Sequence, residues 1–428
     1  RVAQTAQTLW QTGSYEVSRF PGYPLYELLL TPVIALGGAV ASNTATLLVF
    51  LCSILLFRRI LHIGEAPHRD LTLIIYAFLP LLWKNSAVTM DYLWGLTAIL
   101  GAVLFLLRGQ HLAAGIALGL AAGFRPTHIV FVLPLLLLIP SPKKSSGTLF
   151  VSIAAGVTLL SFLPAFFSPT YFAMASEFFS RTTERWTLTS LAAFAYRLVF
   201  SVGLAGTLLL GYFFFRYRLH IQHRLTHKPF LFSSAIVFTT VLLFFFLPDE
   251  REYLIPALPF LLICLSYIAA KKEFVLIGIV LVSFAFVSPD ILEHSVSYRT
   301  VAPSINAGIV VHEFRQRMVL RERIRTLAEI PLPDSSVVMV GMGPQFWMQV
   351  PHLVRDAAVT AQLQQESARS IHGTERWYVY ALKKQQMEDF RRRGYRLYYW
   401  EVMGGFLNTF IGYDLADERV EPIGTQQQ

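Results

Sequence analysis

Residues 91–139 read DYLWGLTAILGAVLFLLRGQHLAAGIALGLAAGFRPTHIVFVLPLLLLI. Three apolar runs lie here, near 92–107, 112–124 and 127–140, and the acidic and basic residues Asp91, Arg108 and Arg125 stand only at their ends. A membrane-spanning helix needs about 20 apolar residues, and fewer suffice where the bilayer thins or flanking side chains snorkel. The second and third runs are short and are joined only by Arg125-Pro126. They predict a tight helical hairpin that need not reach fully across.

The same grammar holds outward from this stretch. Further crossings are expected near 40–57, 71–90, 148–167, 191–215, 230–247, 253–270 and 273–289, making about ten with the three above. The 428 residues are 54% hydrophobic and only 15% charged, where soluble domains carry about 25% charged residues. The bilayer is therefore the expected solvent. A formal net charge of +9 would suit a nucleic-acid partner if it were gathered in one patch. It is instead divided into short clusters between apolar runs, which excludes that class and points to topology. Cys52 and Cys264 both lie inside apolar runs, so neither a disulfide framework nor a cysteine metal site is expected.

Basic residues are retained on the cytoplasmic side of a membrane protein. Arg58, Arg59, Arg69, Arg108, Lys143, Lys144, Arg216, Arg218, Arg224, Lys228, Lys271 and Lys272 fall in one set of alternate loops, against Lys84, Arg125, Arg181, Arg185 and Arg251 in the other. The first set is expected to face the cytoplasm. Segment 1–39 and everything after 290 then lie outside, in a cytoplasmic or plasma membrane. Segment 1–39 reads as an outer amphipathic and juxtamembrane segment, 40–289 as the transmembrane domain and 290–428 as an extracytoplasmic α/β domain. In the last, SSVVMVGMG predicts a strand entering a turn, ALKKQQMEDFRRRG a helix ending at Gly394, and YRLYYWEV a second strand. Gly341-Met342-Gly343 lacks a third glycine and a following Lys-Ser/Thr, so it reads as a plain turn.

Several charged residues at the outer helix ends could carry chemistry. Asp91 directly precedes a helix, where a carboxylate can either cap free backbone N–H groups or point into an outer cavity. Arg125 ends a short apolar helix, where a guanidinium either snorkels to headgroups or finds an anion such as a phosphate. Arg197 falls inside an apolar segment, compatible with an inward ion pair or with simple interfacial placement. Lys84 is a further candidate. In SYEVSRFPGYPLYE, two prolines and a glycine within four residues impose a rigid turn that holds Glu16 and Arg19 near the headgroups. Arg181, Glu184 and Arg185 are read as a connector or lid. His220, His223 and His227 are interleaved with Arg218, Arg224 and Lys228, which would repel a cation, so they read as a basic loop and no metal site is expected.

The run SRFPGYPLYE, followed by an apolar helix, resembles the first outer loop of membrane glycosyltransferases with the C-type fold, especially the family 39 relatives of protein O-mannosyltransferases and aminoarabinose transferases. TMDYLWGLTAILGAVLFLLRG, HLAAGIALGLAAGFRPT and LPDEREYLIPALPFLLI agree in order and spacing, so the resemblance covers roughly 1–290. It implies a polyprenyl-phosphate sugar as donor, an extracytoplasmic lipid, glycan or protein as acceptor, inversion at the anomeric carbon, and no redox cofactor. It implies an acidic residue beside the active site at Asp91 and donor-phosphate contacts from Arg19, Arg125, Arg251 and Tyr253. The family base is an aspartate at the start of the first outer loop, yet no Asp precedes Asp70 here. That leaves Glu16 as a poor substitute and leads to the expectation that the chain is truncated at its N-terminus. The rival readings are a transporter or flippase of a lipid-linked substrate and a non-catalytic lipid-binding partner. Two repeated halves would favour the transporter, and no internal repeat is found.

Overall fold

A computed structural model of the chain describes residues 2–15, 17–18, 21–139, 144–168, 171–172, 175–176, 188–247, 250–290, 304–341, 353–355, 369–371, 376–379, 381–401, 404, 407–408 and 414–423. Contacts divide the chain into two compact units, Val2–Glu313 and Phe314–Gln428. The sequence reading starts its last domain at 290. The division falls later because the short antiparallel pair β1 (Val287–Asp290) and β2 (Ser304–Ala307) stays with the helices, closed by the Gly308 amide donating to the Phe286 carbonyl at 2.8 Å.

The first unit is helical. Three of its helices are long and apolar enough to cross a membrane: Pro24–Ile63, Lys144–Phe166 and Lys228–Phe246. This is a helical membrane protein by composition, but the ten uninterrupted crossings expected above are not what forms. The 71–90 run splits into Arg69–Phe78 and Pro80–Ser86 at Pro80, because proline removes a backbone donor and clashes with the preceding turn. The 127–140 run becomes a 3-10 turn, Pro126–Phe131, and one α-helical turn, Val132–Leu136. The 191–215 run divides into Leu188–Ser201 and Leu204–Arg216 around Gly203, whose φ is +77°. The last run gives a 13-residue helix, Lys271–Ser283, and then β1.

Conversely, the helix that carries the run at 40–57 begins well before position 40. Pro24–Ile63 runs for 40 residues with a break at Gly38, where φ is +58°. The portion after the break spans about 37 Å at 1.5 Å per residue, enough for a hydrocarbon core of about 30 Å. Its faces are inverted relative to a soluble helix. Leu36 and Val40 are 82% and 78% exposed, whereas Ser42, Thr46 and Ser53 are buried. The buried hydroxyls bond across helices: Ser42 Oγ to Thr89 Oγ1 at 2.6 Å, Trp94 Nε1 to Thr46 Oγ1 at 3.3 Å, and Ser53 Oγ to the Tyr76 hydroxyl at 2.8 Å. Apolar groups outward and polar groups paired inward is the arrangement lipid selects.

Tyr92–Leu107, His111–Phe124 and Lys144–Phe166 form the layer that positions the site. On His111–Phe124, glycines recur every four residues. A Cβ at Gly115 would stand 2.9 Å from Ile153 Cβ, at Gly119 2.5 Å from Val157 Cβ, and at Gly123 2.7 Å from Ser161 Cβ. Only hydrogen at those three positions lets Lys144–Phe166 approach so closely, a small-residue seam of the kind lipid-embedded helices use.

In the second unit, β4 (Leu353–Arg355), β5 (Arg369–Ile371), β6 (Arg376–Val379), β3 (Ser336–Met339), β7 (Arg396–Trp400) and β8 (Glu421–Ile423) make, in that order, a mixed sheet. β3 lies parallel to both β6 and β7. The helix Lys384–Arg392 buries Met387 and Phe390 with Val337, Met339, Val379 and Leu397. It stops at Gly394, whose φ of +87° suits a left-handed helix end. Gly341 takes φ +61° after β3, while Met342 and Gly343 lie outside the described residues.

Candidate functional site

Local sequence sets up the site at both of its main residues. The residue before a proline is pushed out of the helical region. Arg125, preceding Pro126, accordingly takes φ −146° and ψ 113°, ending the helix His111–Phe124 and turning its side chain away from the helical path. Asp91 precedes Tyr92–Leu107, but its side chain makes no capping hydrogen bond. The capping interpretation is thereby replaced by an ion pair. Arg125 Nη1 donates to Asp91 Oδ2 at 2.9 Å, with the two side chains only 4% and 2% exposed.

Aromatic rings enclose the guanidinium. Its carbon lies 4.1 Å from the ring centroid of Tyr92, 4.6 Å from that of Tyr253 and 5.5 Å from that of Tyr23. Desolvated cation–π contacts are worth about 2 kcal/mol each, and together with the carboxylate they offset part of the cost of burying the cation. Headgroup snorkelling is therefore not what Arg125 does. Tyr23 stands at the start of Pro24–Ile63 and Tyr253 in the 3-10 turn Arg251–Leu254, so the cluster ties distant segments together.

A cleft opens beside this cluster. Tyr92, Arg125, His128, Thr240, Glu252 and Tyr253 line it, with Phe131, Leu243 and Leu247 as apolar wall. The Tyr92 hydroxyl is buried without a hydrogen-bond partner among the described residues, so it is a donor on the cleft wall that can meet an acceptor. A second ion pair flanks the cleft. Lys84 Nζ donates to Glu252 Oε1 at 3.0 Å and lies 3.6 Å from Glu313 Oε2.

Of the candidates read from sequence, Asp91, Arg125 and Tyr253 come together, and Lys84 joins through Glu252. Arg251 is not among the cleft residues. A 3-10 turn has about three residues per turn, and here Glu252 and Tyr253 face the cleft instead. Arg197 is half-buried on Leu188–Ser201 and makes no ion pair among the described residues. Glu16, Arg19, Arg181, Glu184 and Arg185 lie outside the described residues.

Two residues were missed by sequence reasoning. His128 is 4% exposed, with Nδ1 3.2 Å from the Ala121 carbonyl oxygen. It fits only because Gly95 has no side chain, since a Cβ there would stand 2.3 Å from His128 Cε1. Glu27 is fully buried one turn after Tyr23 and accepts hydrogen bonds from the Tyr15 hydroxyl and Ser18 Oγ. Burial and the neighbouring carboxylate push the Tyr15 phenol well above its ordinary pKa, so it stays a donor. The signal was present in each case: an ionisable residue interrupting an apolar run.

No group of three or more His, Cys, Asp or Glu that could hold a metal occurs among the described residues. No protein-family model, curated protein or solved structure matches the chain.

Proposed function

We propose that this chain is a membrane glycosyltransferase with a C-type fold, related to family 39. It moves a sugar from a polyprenyl-phosphate donor to an extracytoplasmic acceptor by inversion. The observation that carries the reading is the buried Asp91–Arg125 pair, ringed by tyrosines and opening on a cleft with one apolar wall. A lipid-linked sugar needs that mixture: an apolar wall for the isoprenoid next to the phosphate, a cation for the phosphate and a carboxylate for the acceptor.

The donor brings its own leaving group, so the chain must supply a base, cationic support and alignment. In the displacement, the anomeric carbon–phosphate oxygen bond breaks as a bond from the acceptor oxygen to the same carbon forms. The acceptor proton goes to a carboxylate, and polyprenyl phosphate departs. Charge building on the leaving phosphate competes with Asp91 for the Arg125 guanidinium, and the Tyr92 hydroxyl donates to a phosphate oxygen. A carboxylate losing its cation becomes a stronger base, so leaving-group departure and proton acceptance by Asp91 are coupled through Arg125. Lys84, paired with Glu252 and Glu313, holds the Glu252 side of the cleft in place.

The test is transfer in proteoliposomes containing a polyprenyl-phosphate sugar labelled in the sugar. Release of free polyprenyl phosphate with label on an acceptor supports the reading. Intact donor crossing the bilayer without cleavage supports the transporter alternative and sinks this one.

A further inference from the structure

The helices that frame the Asp91–Arg125 cleft also frame a second cavity at their other ends. Tyr92 lines the cleft and Leu107 the cavity, so the length of Tyr92–Leu107 separates the two by roughly 22 Å. Lys228–Phe246 likewise gives Thr240 and Leu243 to the cleft but Phe232 and Ser233 to the cavity. The cavity measures about 200 Å³, with Leu61, Leu107, Leu138, Phe232 and Ile263 among its walls. That is room for part of one hydrocarbon chain, and the apolar walls suit such a chain better than a sugar.

Two polar features make it more than a packing defect. Ser233 lines the cavity at 1% exposure, and its hydroxyl has no hydrogen-bond partner among the described residues. Buried hydroxyls ordinarily find a partner. At the rim, the exposed Lys228 ammonium has no acidic partner among the described residues. The Tyr267 hydroxyl, also on the rim, is taken by the Gly64 carbonyl at 3.1 Å and so is not the anion donor. Arg58, Arg59, Arg224 and Lys271 are exposed at the same helix ends, with Glu65 and Asp70 the exposed acids there. The field at the rim is positive, and this is the end that the loop charges assign to the cytoplasmic leaflet.

We propose that the cavity binds one acyl chain of an anionic membrane phospholipid, with Lys228 receiving the phosphate and Ser233 hydrogen-bonding an ester oxygen. The occupant is amphiphilic because the walls are apolar and the rim is cationic. It is a phospholipid and not the sugar carrier because the carboxylate and the enclosed guanidinium that carrier chemistry needs stand at the other ends of the helices. The exclusion of the sugar carrier rests on the transferase reading, whereas the apolar walls and the Lys228 rim that call for an anionic amphiphile do not.

Native mass spectrometry of the full chain, purified and supplied with phosphatidylglycerol or phosphatidylcholine, tests it. Wild type should hold one phosphatidylglycerol in clear preference to phosphatidylcholine, and Ser233→Ala should weaken retention of both lipids alike, since both carry the ester that its hydroxyl meets. Lys228→Glu should weaken that species about tenfold or more, since each interfacial cation contributes about 1 kcal/mol toward anionic lipid and the substitution reverses the charge. Ser233→Phe, which fills the cavity, should abolish it. Lys228 is exposed, so its substitution leaves the fold intact and decides the matter even if Ser233→Phe does not fold. Equal retention of both lipids, undiminished retention by Lys228→Glu, or displacement of phosphatidylglycerol by polyprenyl phosphate would each overturn the proposal.

Discussion

The pair Asp91–Arg125 and the cluster Asp389–Arg392–Arg393 join the same two residue types at similar distances, in opposite surroundings. Arg125 Nη1 to Asp91 Oδ2 is 2.9 Å with both side chains under 5% exposed, and Arg393 Nη2 to Asp389 Oδ2 is also 2.9 Å with both 47% exposed. The first joins residues 34 apart in sequence, and the second joins neighbouring turns of one helix. Distance alone therefore ranks nothing. Water screens the exposed contact until it is worth little, whereas breaking the buried one strands a charge that water cannot reach.

Substitutions can break that comparison, and the largest effect is expected at Arg125. Arg125→Met should destabilise the helical unit by about 3–5 kcal/mol, because Asp91 is left buried and unpaired. Thermal unfolding of the detergent-solubilised protein measures it, and a loss below about 1 kcal/mol would mean that water reaches the carboxylate after all. Gly119→Leu comes next. A side chain there meets Val157 and the Ala154 carbonyl, and overpacking of this sort costs about 1–3 kcal/mol. The same unfolding experiment should show it, with Gly156→Leu as the control, since a Cβ at Gly156 meets nothing within 4 Å.

Lys84→Met sharpens the comparison from the middle. Its pair with Glu252 is 14% and 13% exposed, between the two extremes, and a loss of about 1 kcal/mol is expected. Asp389→Ala should change stability by less than about 0.5 kcal/mol, with the small effect vanishing in high salt. A larger or salt-resistant loss there would show that exposure is the wrong variable.

How much of this could be read from the sequence depends on how each residue interrupts its surroundings. Asp91 and Arg125 were legible because a charge at the edge of an apolar run has few cheap environments. That each is the other's partner was not, since the contact spans two helices and a turn whose direction Pro126 decides. Tyr253 was named through the family resemblance of LPDEREYLIPALPFLLI and not from any property of its own position. Arg251 was named only because the resemblance implies it, and a sequence does not announce the 3-10 turn that sets which of these side chains faces the cleft. His128 and Glu27 were passed over because single ionisable residues inside HIVFVL and LYELLL read as part of the apolar run. The helical, membrane-like character was plain from composition. The continuity of the crossings was not, because Pro80, Pro126 and Gly203 break runs that hydropathy alone treats as whole. The Gly115–Gly119–Gly123 seam was not read, because the partner that gives the spacing its meaning belongs to a different helix.

A double-mutant cycle on Asp91→Asn and Arg125→Gln, read as the rate of polyprenyl-phosphate release in proteoliposomes, tests most directly whether the buried pair is chemistry or only a clamp. The double variant restores neutrality and retains hydrogen bonding, so a clamp would be rescued in stability and rate alike. If the pair performs transfer, each single variant loses about 10²–10³-fold in rate and the double variant stays as slow while recovering stability. Recovery of near wild-type release by the double variant would contradict the account.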